Sequence, residues 1–359
     1  LSRFTRGTGQ RKVIELTKSR TPFEDGLAMP AEWTPHAGCY ISWPCKEEIW
    51  YGHFQEVKES YAEVINAINR FEPLTVLADP SVHAEARKKL GNEIEILEVR
   101  LDDSWSRDNG PIFVTAKDGG VALVNFRFNG WGKFTPYDHD NELPIFLSDH
   151  LKMRRYDAPM ILEGGSISVD GEGTLITTEQ CLLNPNRNPE LTREDIERNL
   201  ESYLGAKKVI WLGRGLIGDL TDGHVDAIAS FVSPKLAIAA ISDDTSDPNY
   251  PALKENMDRL LSSTNAKGRS IEIVKMIQPK EYDFHGHRLT PYYCNNYIAN
   301  GGVVAPIFGI PEDEIAIETL RSVFEGREVV TIKAGFLEIG GGATHCITQQ
   351  RPKGVTIPP

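Results

Sequence analysis

The chain has 359 residues, of which 40% are hydrophobic and 25% charged, so it can bury a sizeable core and is neither a disordered nor a fibrous polypeptide. Its formal net charge of −12 argues against nucleic acid and anionic membrane as partners and favours small cations. No run reaches the roughly 18 to 20 apolar residues that span a bilayer, and no charged-then-apolar leader opens the sequence.

Residues 1–20 carry six Lys/Arg against the single acid Glu15, and residues 1–28 are set aside as a basic extension with no assigned role. From 29 to 359 no Pro- or Ser-rich linker interrupts the chain, which favours one closed domain over two beads. Over 54–70 the apolar residues Phe54, Val57, Tyr61, Val64, Ile65 and Ile68 recur at helical spacing, and the β-rich run 74–78 follows. The pattern repeats. Thr192 opens a capping-box-like Thr-Arg-Glu-Asp for a helix running toward Gly205, followed by a strand over 208–212. Helix signals over 250–264 and 312–324 are likewise followed by strands over 273–277 and 328–333. Four helix-to-strand units are therefore expected.

Between them recur polar or Gly-rich turns, each ahead of a short apolar run. They are Arg107-Asp108-Asn109-Gly110, Glu163-Gly164-Gly165, Asp222-Gly223-His224, Asn300-Gly301-Gly302 and Gly340-Gly341-Gly342. Their spacing of very roughly sixty residues suggests an internal repeat. If five such units close around an axis, the five turns converge at one end.

The chemistry-bearing residues lie in these turns. Cys346 follows three glycines, which let backbone approach a bound group closely. That allows either an exposed nucleophile or a small buried hydrophobe. In Thr221-Asp222-Gly223-His224-Val225-Asp226, a strand starting at 225 would project His224 and Asp226 to the same side; a structural histidine beside a surface acid is the other reading. Asp108 stands near Trp105, and an acid with an indole face can hold a planar guanidinium, whereas an ion pair with Arg107 is the plainer account. Glu163 could serve in the same cluster or cap a turn. His285-Gly286-His287 lacks an acidic or cysteine partner at metal-ligand spacing and reads as a solvated loop. No GxSxG or GxxxxGK[ST] sequence is present, which removes the usual signals for serine hydrolases and P-loop enzymes. Five cysteines without a CxxC pair give neither a disulfide framework nor a zinc finger, so a reducing, cytoplasmic setting is expected.

Taken in order, Met29-Pro30-Ala31-Glu32-Trp33, Ser42-Trp43-Pro44, Asp103-Ser104-Trp105-Ser106-Arg107-Asp108 and Phe128-Asn129-Gly130-Trp131-Gly132 form the first half of an extended pattern. Leu162-Glu163-Gly164-Gly165-Ser166, Asn184-Pro185-Asn186-Arg187-Asn188-Pro189, Thr221 to Asp226, Tyr297-Ile298-Ala299-Asn300-Gly301-Gly302 and His345-Cys346-Ile347-Thr348-Gln349-Gln350 complete it. The whole resembles the agmatine deiminase family with its peptidylarginine deiminase-type relatives. The resemblance implies an α/β propeller of five ββαβ modules (pentein type) with pseudo-fivefold symmetry around a central site. It implies hydrolysis of agmatine to N-carbamoylputrescine and ammonia, with no cofactor or metal. Cys346 would be the nucleophile, His224 the general acid/base, Asp108 and Asp226 the guanidinium-binding carboxylates, and Glu163 an acidic partner of the histidine. Trp105 and Gly342 would line the substrate. Two departures stand out: Ala343-Thr344 replaces the usual Asn-Ile before His-Cys, and Asn296 stands where an aromatic residue is common.

Other outcomes on the same scaffold are a different guanidine deiminase, an amidinotransferase, or a non-enzymatic binder of cations. A papain-like protease is disfavoured, because its local cysteine signature is absent and converging acids serve an amide poorly. Self-association as a homo-oligomer stays open at this level.

Overall fold

The computed structural model describes residues 20–359. The basic extension therefore falls mostly outside the described residues; within it, Leu27–Ala28 pairs antiparallel with Ile112–Ala116.

Five sheets share one pairing pattern, in which a first strand pairs antiparallel with a second and the second parallel with a third. Ile112–Ala116, Gly120–Arg127 and Arg155–Ile161 form one such set. Ser168–Val169, Thr174–Thr178 and Lys208–Leu212 form the next. Ala229–Ser233, Leu236–Ile241 and Glu272–Ile277, then Tyr297–Ala299, Gly302–Ile307 and Glu328–Lys333, follow. The remaining sheet is discontinuous in sequence: Thr348–Pro352 pairs antiparallel with His36–Ser42, which pairs parallel with Leu74–Ala78, and Glu95–Glu98 extends the edge.

A helix bridges each parallel pair, as a parallel connection requires. Helices Phe54–Asn69, Arg193–Leu204, Tyr250–Leu261 and Glu312–Val323 occupy the four expected places. In the first, Val57, Tyr61, Val64, Ile65 and Ile68 are all fully buried, each such burial stabilising by about 1.5–3 kcal/mol. Thr192 closes the capping box with Asp195, and Gly205 ends that helix in the left-handed region. The fifth bridge, Asp138–Leu151, was not expected from the sequence. Its Pro144 lies inside the helix, and the apolar periodicity around it is weak.

Two local expectations are corrected. The strand after His224 begins at Ala229, because Val225–Ala227 forms a 3-10 turn, so strand periodicity does not align His224 with Asp226. The turn at Asn300-Gly301 joins two antiparallel strands and bonds to His36 and Glu72. It does not join the other four turns. Segment 292–296, ahead of the first strand of its sheet, takes that place.

The hairpin Tyr282–Phe284 and His287–Leu289 carries His285 and Gly286 at its tip, with His285 exposed. No helix among the described residues is long and apolar enough to cross a membrane.

Candidate active site

The segments that precede first strands supply the site. Asp108 lies on the short helix Ser106–Asn109, which is held to the Cys346 segment where the Arg107 N–H donates to the Cys346 carbonyl at 3.1 Å. Asp108 does not pair with Arg107; it accepts from Trp131 Nε1 and from the backbone N–H of Gly165, both at 2.9 Å. Arg107 instead reaches Glu32 at 3.5 Å. Glu163 precedes the 3-10 turn Gly164–Ser166 without capping it and accepts from Arg187 Nε at 2.7 Å.

His224 lies between two acids, with Nδ1 3.7 Å from Asp108 and Nε2 3.9 Å from Glu163. Neither ring nitrogen has a hydrogen-bond partner among the described residues, although the side chain is buried. A buried imidazole with both nitrogens unengaged is equipped to exchange protons with a ligand. The turn that presents it puts Asp222 at φ 66° and Gly223 at φ 90°, and Asp222 is anchored by Lys133 and Arg187. Gly165 makes the convergence possible: a Cβ there would lie 2.6 Å from His224 Nδ1, 2.8 Å from Asp108 Oδ1 and 2.9 Å from Asp226 Oδ2.

Cys346 Sγ lies 3.6 Å from Asp226 Oδ2 and 3.1 Å from Asn295 Nδ2. Gly342 allows the wall to close on it, since a Cβ there would sit 2.6 Å from the Trp105 ring and 3.0 Å from the sulfur. Asp226 also bonds to His345 Nδ1 at 2.9 Å, and His345 Nε2 bonds to Glu32 at 2.9 Å. The five residues Cys346, His224, Asp108, Asp226 and Glu163 are thus brought together, with Trp105 and Gly342 beside them. The sequence reading gave no role to Glu32, Arg187, Asn295 or His345. Glu32, Trp131, Arg187 and His345 lie inside the motifs named from the sequence, and Asn295 two residues before one.

The cavity above the sulfur measures about 220 Å³. Asp103, Asp108 and Cys346 lie along it, and much of its wall is apolar, including Trp105, Trp131 and Phe134.

The electrostatics follow from burial among acids. Burial works against a charged imidazole at His224, yet Asp108, then Cys181 and Glu163, outweigh it and hold the ring well above the ordinary histidine value. Burial, then Asp226 and Asp108, push the Cys346 thiol well above its usual value. Burial also raises the Asp108 carboxyl; His224 opposes this, while Asp226 and Glu163 add to it. At Glu163 burial is overcome by His224 and Arg187, which hold the carboxyl below its usual range. At Glu32 burial is overcome by His345 and Arg107, leaving that carboxyl at about 2. Glu163, Cys181 and His224 present ligand atoms within 4.8 Å of one another, but a cation there would compete with Arg187 for Glu163.

A thiol and acids along one small cavity, backed by an unengaged imidazole, have the chemistry for nucleophilic attack on a cationic group. The chain matches the sequence model of the Porphyromonas-type peptidyl-arginine deiminase family over residues 28–352. It is 43% identical to a Listeria monocytogenes protein provisionally named an agmatine deiminase, over 92% of this chain and 98% of that protein. Among solved structures it superposes on agmatine deiminase of Enterococcus faecalis with a TM-score of 0.90 at 34% identity, covering 93% of this chain and 98% of that one. A cysteine-to-serine variant of C. jejuni agmatine deiminase with substrate bound gives a TM-score of 0.84 at 28% identity, covering 92% and 97%. The chain belongs to the Porphyromonas-type peptidyl-arginine deiminase family, which it shares with agmatine deiminases.

Proposed function

We propose that this chain is an agmatine deiminase, hydrolysing agmatine to N-carbamoylputrescine and ammonia through a covalent intermediate on Cys346. The observation that carries the reading is that Asp108 and Cys346 line one cavity while His224 lies 3.7 Å from the first and Asp226 3.6 Å from the second, a set of acids that matches a guanidinium. Its apolar walls suit the methylene chain of agmatine.

A guanidinium carbon is a weak electrophile because its charge spreads over three nitrogens. Asp108 and Asp226 accept its N–H groups and orient the plane. The Cys346 thiolate forms a bond to the central carbon, and the π pair moves onto nitrogen. His224, which the surrounding acids keep protonated, gives its proton to the departing nitrogen, and ammonia leaves a thiouronium on the sulfur. The neutral imidazole then takes a proton from water, whose oxygen attacks the same carbon. The C–S bond breaks and the ureido product is released. The arriving cation offsets the carboxylates that raise the thiol, so thiolate formation is assisted by the substrate.

On this reading residues 29–359 form one catalytic domain, with five ββαβ modules in pseudo-fivefold order as an α/β propeller around the site. The five like-paired sheets and the placement of each site segment before a first strand support it.

Offering agmatine, free arginine and an arginine peptide to the pure protein tests the substrate. Ammonia and N-carbamoylputrescine from agmatine alone are expected; turnover of the peptide alone would reject agmatine. Acid-quenching during turnover, digestion and mass measurement test the nucleophile. An amidino adduct is expected on the Cys346 peptide and on none containing Cys39, Cys45, Cys181 or Cys294, and an active Cys346→Ala protein would overturn the assignment.

A further inference from the structure

The sulfur of Cys346 faces a difficulty that the acids create. Asp226 and Asp108 both raise the cost of a negative sulfur, and burial removes the water that would solvate it. His224 has its close acidic contacts with Asp108 and Glu163. The arriving cation offsets this once it is bound, and the Ala343 backbone favours the anion; a side-chain donor to the sulfur acts beside them even before substrate arrives.

We propose that Asn295 is a catalytic residue that donates a hydrogen bond to the Cys346 thiolate, and that Thr344 positions it. Asn295 is 1% exposed, and its Nδ2 lies 3.1 Å from Sγ. The orientation of the amide is fixed by its other end. Oδ1 accepts from the backbone N–H of His345 at 3.0 Å and from that of Cys346 at 3.3 Å. Turning the amide over would set its NH₂ against two N–H donors and its oxygen against the sulfur, so the N–H must face Cys346. An N–H bonded to a charged sulfur is stronger than one bonded to a neutral thiol, and the contact therefore favours the thiolate. Asn295 transfers no proton; on ionisation the thiol proton passes to solvent through the cavity.

The backbone of Asn295 is pinned as well. The Thr344 hydroxyl donates to its carbonyl at 2.8 Å and also lies 3.1 Å from the Val304 carbonyl. Thr344 is one of the two departures from the usual family sequence, and the isoleucine expected there could make neither bond. The departure thus ties the Cys346 loop to the segment that carries the donor.

The test is a titration of the thiolate by its ultraviolet absorbance, with the Cys346→Ala signal subtracted, for wild type, Asn295→Ala and Thr344→Val. Asn295→Ala is expected to hold about tenfold less thiolate at a given pH, which displaces its curve by about one pH unit. Thr344→Val is expected to shift in the same direction by a smaller factor, about twofold to threefold, because it loosens the donor without removing it. A folded Asn295→Ala protein whose curve coincides with wild type overturns the proposal. If Asn295→Ala does not fold, Thr344→Val decides: an upward shift supports the proposal and a coincident curve overturns it. The inference rests on Cys346 being the nucleophile, and ammonia release by Cys346→Ala tests that separately, since the absorbance reads the sulfur whether or not agmatine is the substrate.

Discussion

At the scale of single residues, the site is crowded enough that a methyl group is informative. Gly165→Ala would place carbon within 3 Å of His224, Asp108 and Asp226 at once, and none can retreat without leaving the geometry that defines its task. We expect a folded protein with turnover reduced at least about a hundredfold, read by steady-state ammonia release. His224→Asn removes the proton carrier used in both half-reactions, so the rate should fall by about 10²- to 10⁴-fold while agmatine binding, followed by calorimetry, survives better. Near-normal turnover would remove His224 from the mechanism. Asp108→Asn and Asp226→Asn should each weaken the hold on the guanidinium, each charge-assisted bond being worth about 1.5–3 kcal/mol. Wild-type kcat/KM in either variant would show the cation to be oriented some other way. The gathering of Cys346, His224 and the acids was legible because each sits in a short motif whose residue types suit the proposed reaction. Asn295 and His345 were not, since their contribution depends on which atoms face the sulfur and Asp226, and adjacent letters carry no such direction.

Among the elements, what could be read followed local physics. The helix Phe54–Asn69 was plain because its apolar spacing is strong, and Arg193–Leu204 because its cap is written in Thr192 and Asp195. The helix Asp138–Leu151 escaped because Pro144 is a breaker signal and tertiary packing of Leu143 and Leu147 overrides it. Turn chemistry misled once. Asn300-Gly301-Gly302 has the composition of the site turns, but it closes a hairpin, and composition does not report which end of a sheet a turn occupies. The capping box offers an isolated check: Thr192→Ala should cost about 1 kcal/mol in denaturant unfolding and leave agmatine turnover unchanged. A loss of turnover would mean that this helix reaches the site in a way its contacts do not show.

Across the whole molecule, burial of acids sets a dependence of stability on pH. Asp140 accepts the backbone N–H groups of Asp102 at 2.9 Å and Asp103 at 3.2 Å, fastening the helix Asp138–Leu151 to the strand-free segment that leads to Trp105. Burial, then Asp103, raises the Asp140 carboxyl to about 7, and burial raises Asp103 to about 6 despite Lys46. A carboxyl whose folded value exceeds its unfolded one holds a proton that the unfolded chain has lost. Its stabilising contribution is complete at pH values below the unfolded value near 3.8 and disappears as pH rises through 6 to 7. Asp140→Asn keeps an oxygen for the two N–H groups and has nothing to ionise. Its melting temperature should fall less than that of wild type between pH 5 and pH 8, and parallel curves would show that Asp140 does not titrate in this range. Glu32 acts in the opposite sense, since its carboxyl sits near 2 and the stability it confers is lost only as pH falls toward that value.

The pairing of Thr348–Pro352 with His36–Ser42 joins strands about three hundred residues apart, and Cys346 lies two positions before the later one. During synthesis, which proceeds from the N-terminus, Asp108, Glu163, His224 and Asp226 leave the ribosome ahead of the sulfur. That edge of His36–Ser42 stays unpaired until Thr348–Pro352 arrives, and the pairing that covers it also carries the thiol to its acids. A nascent chain interrupted before that point carries the acids without Cys346, so on the function proposed above it lacks its attacking atom. On that reading the sulfur reaches its acids through the same pairing that closes the first sheet.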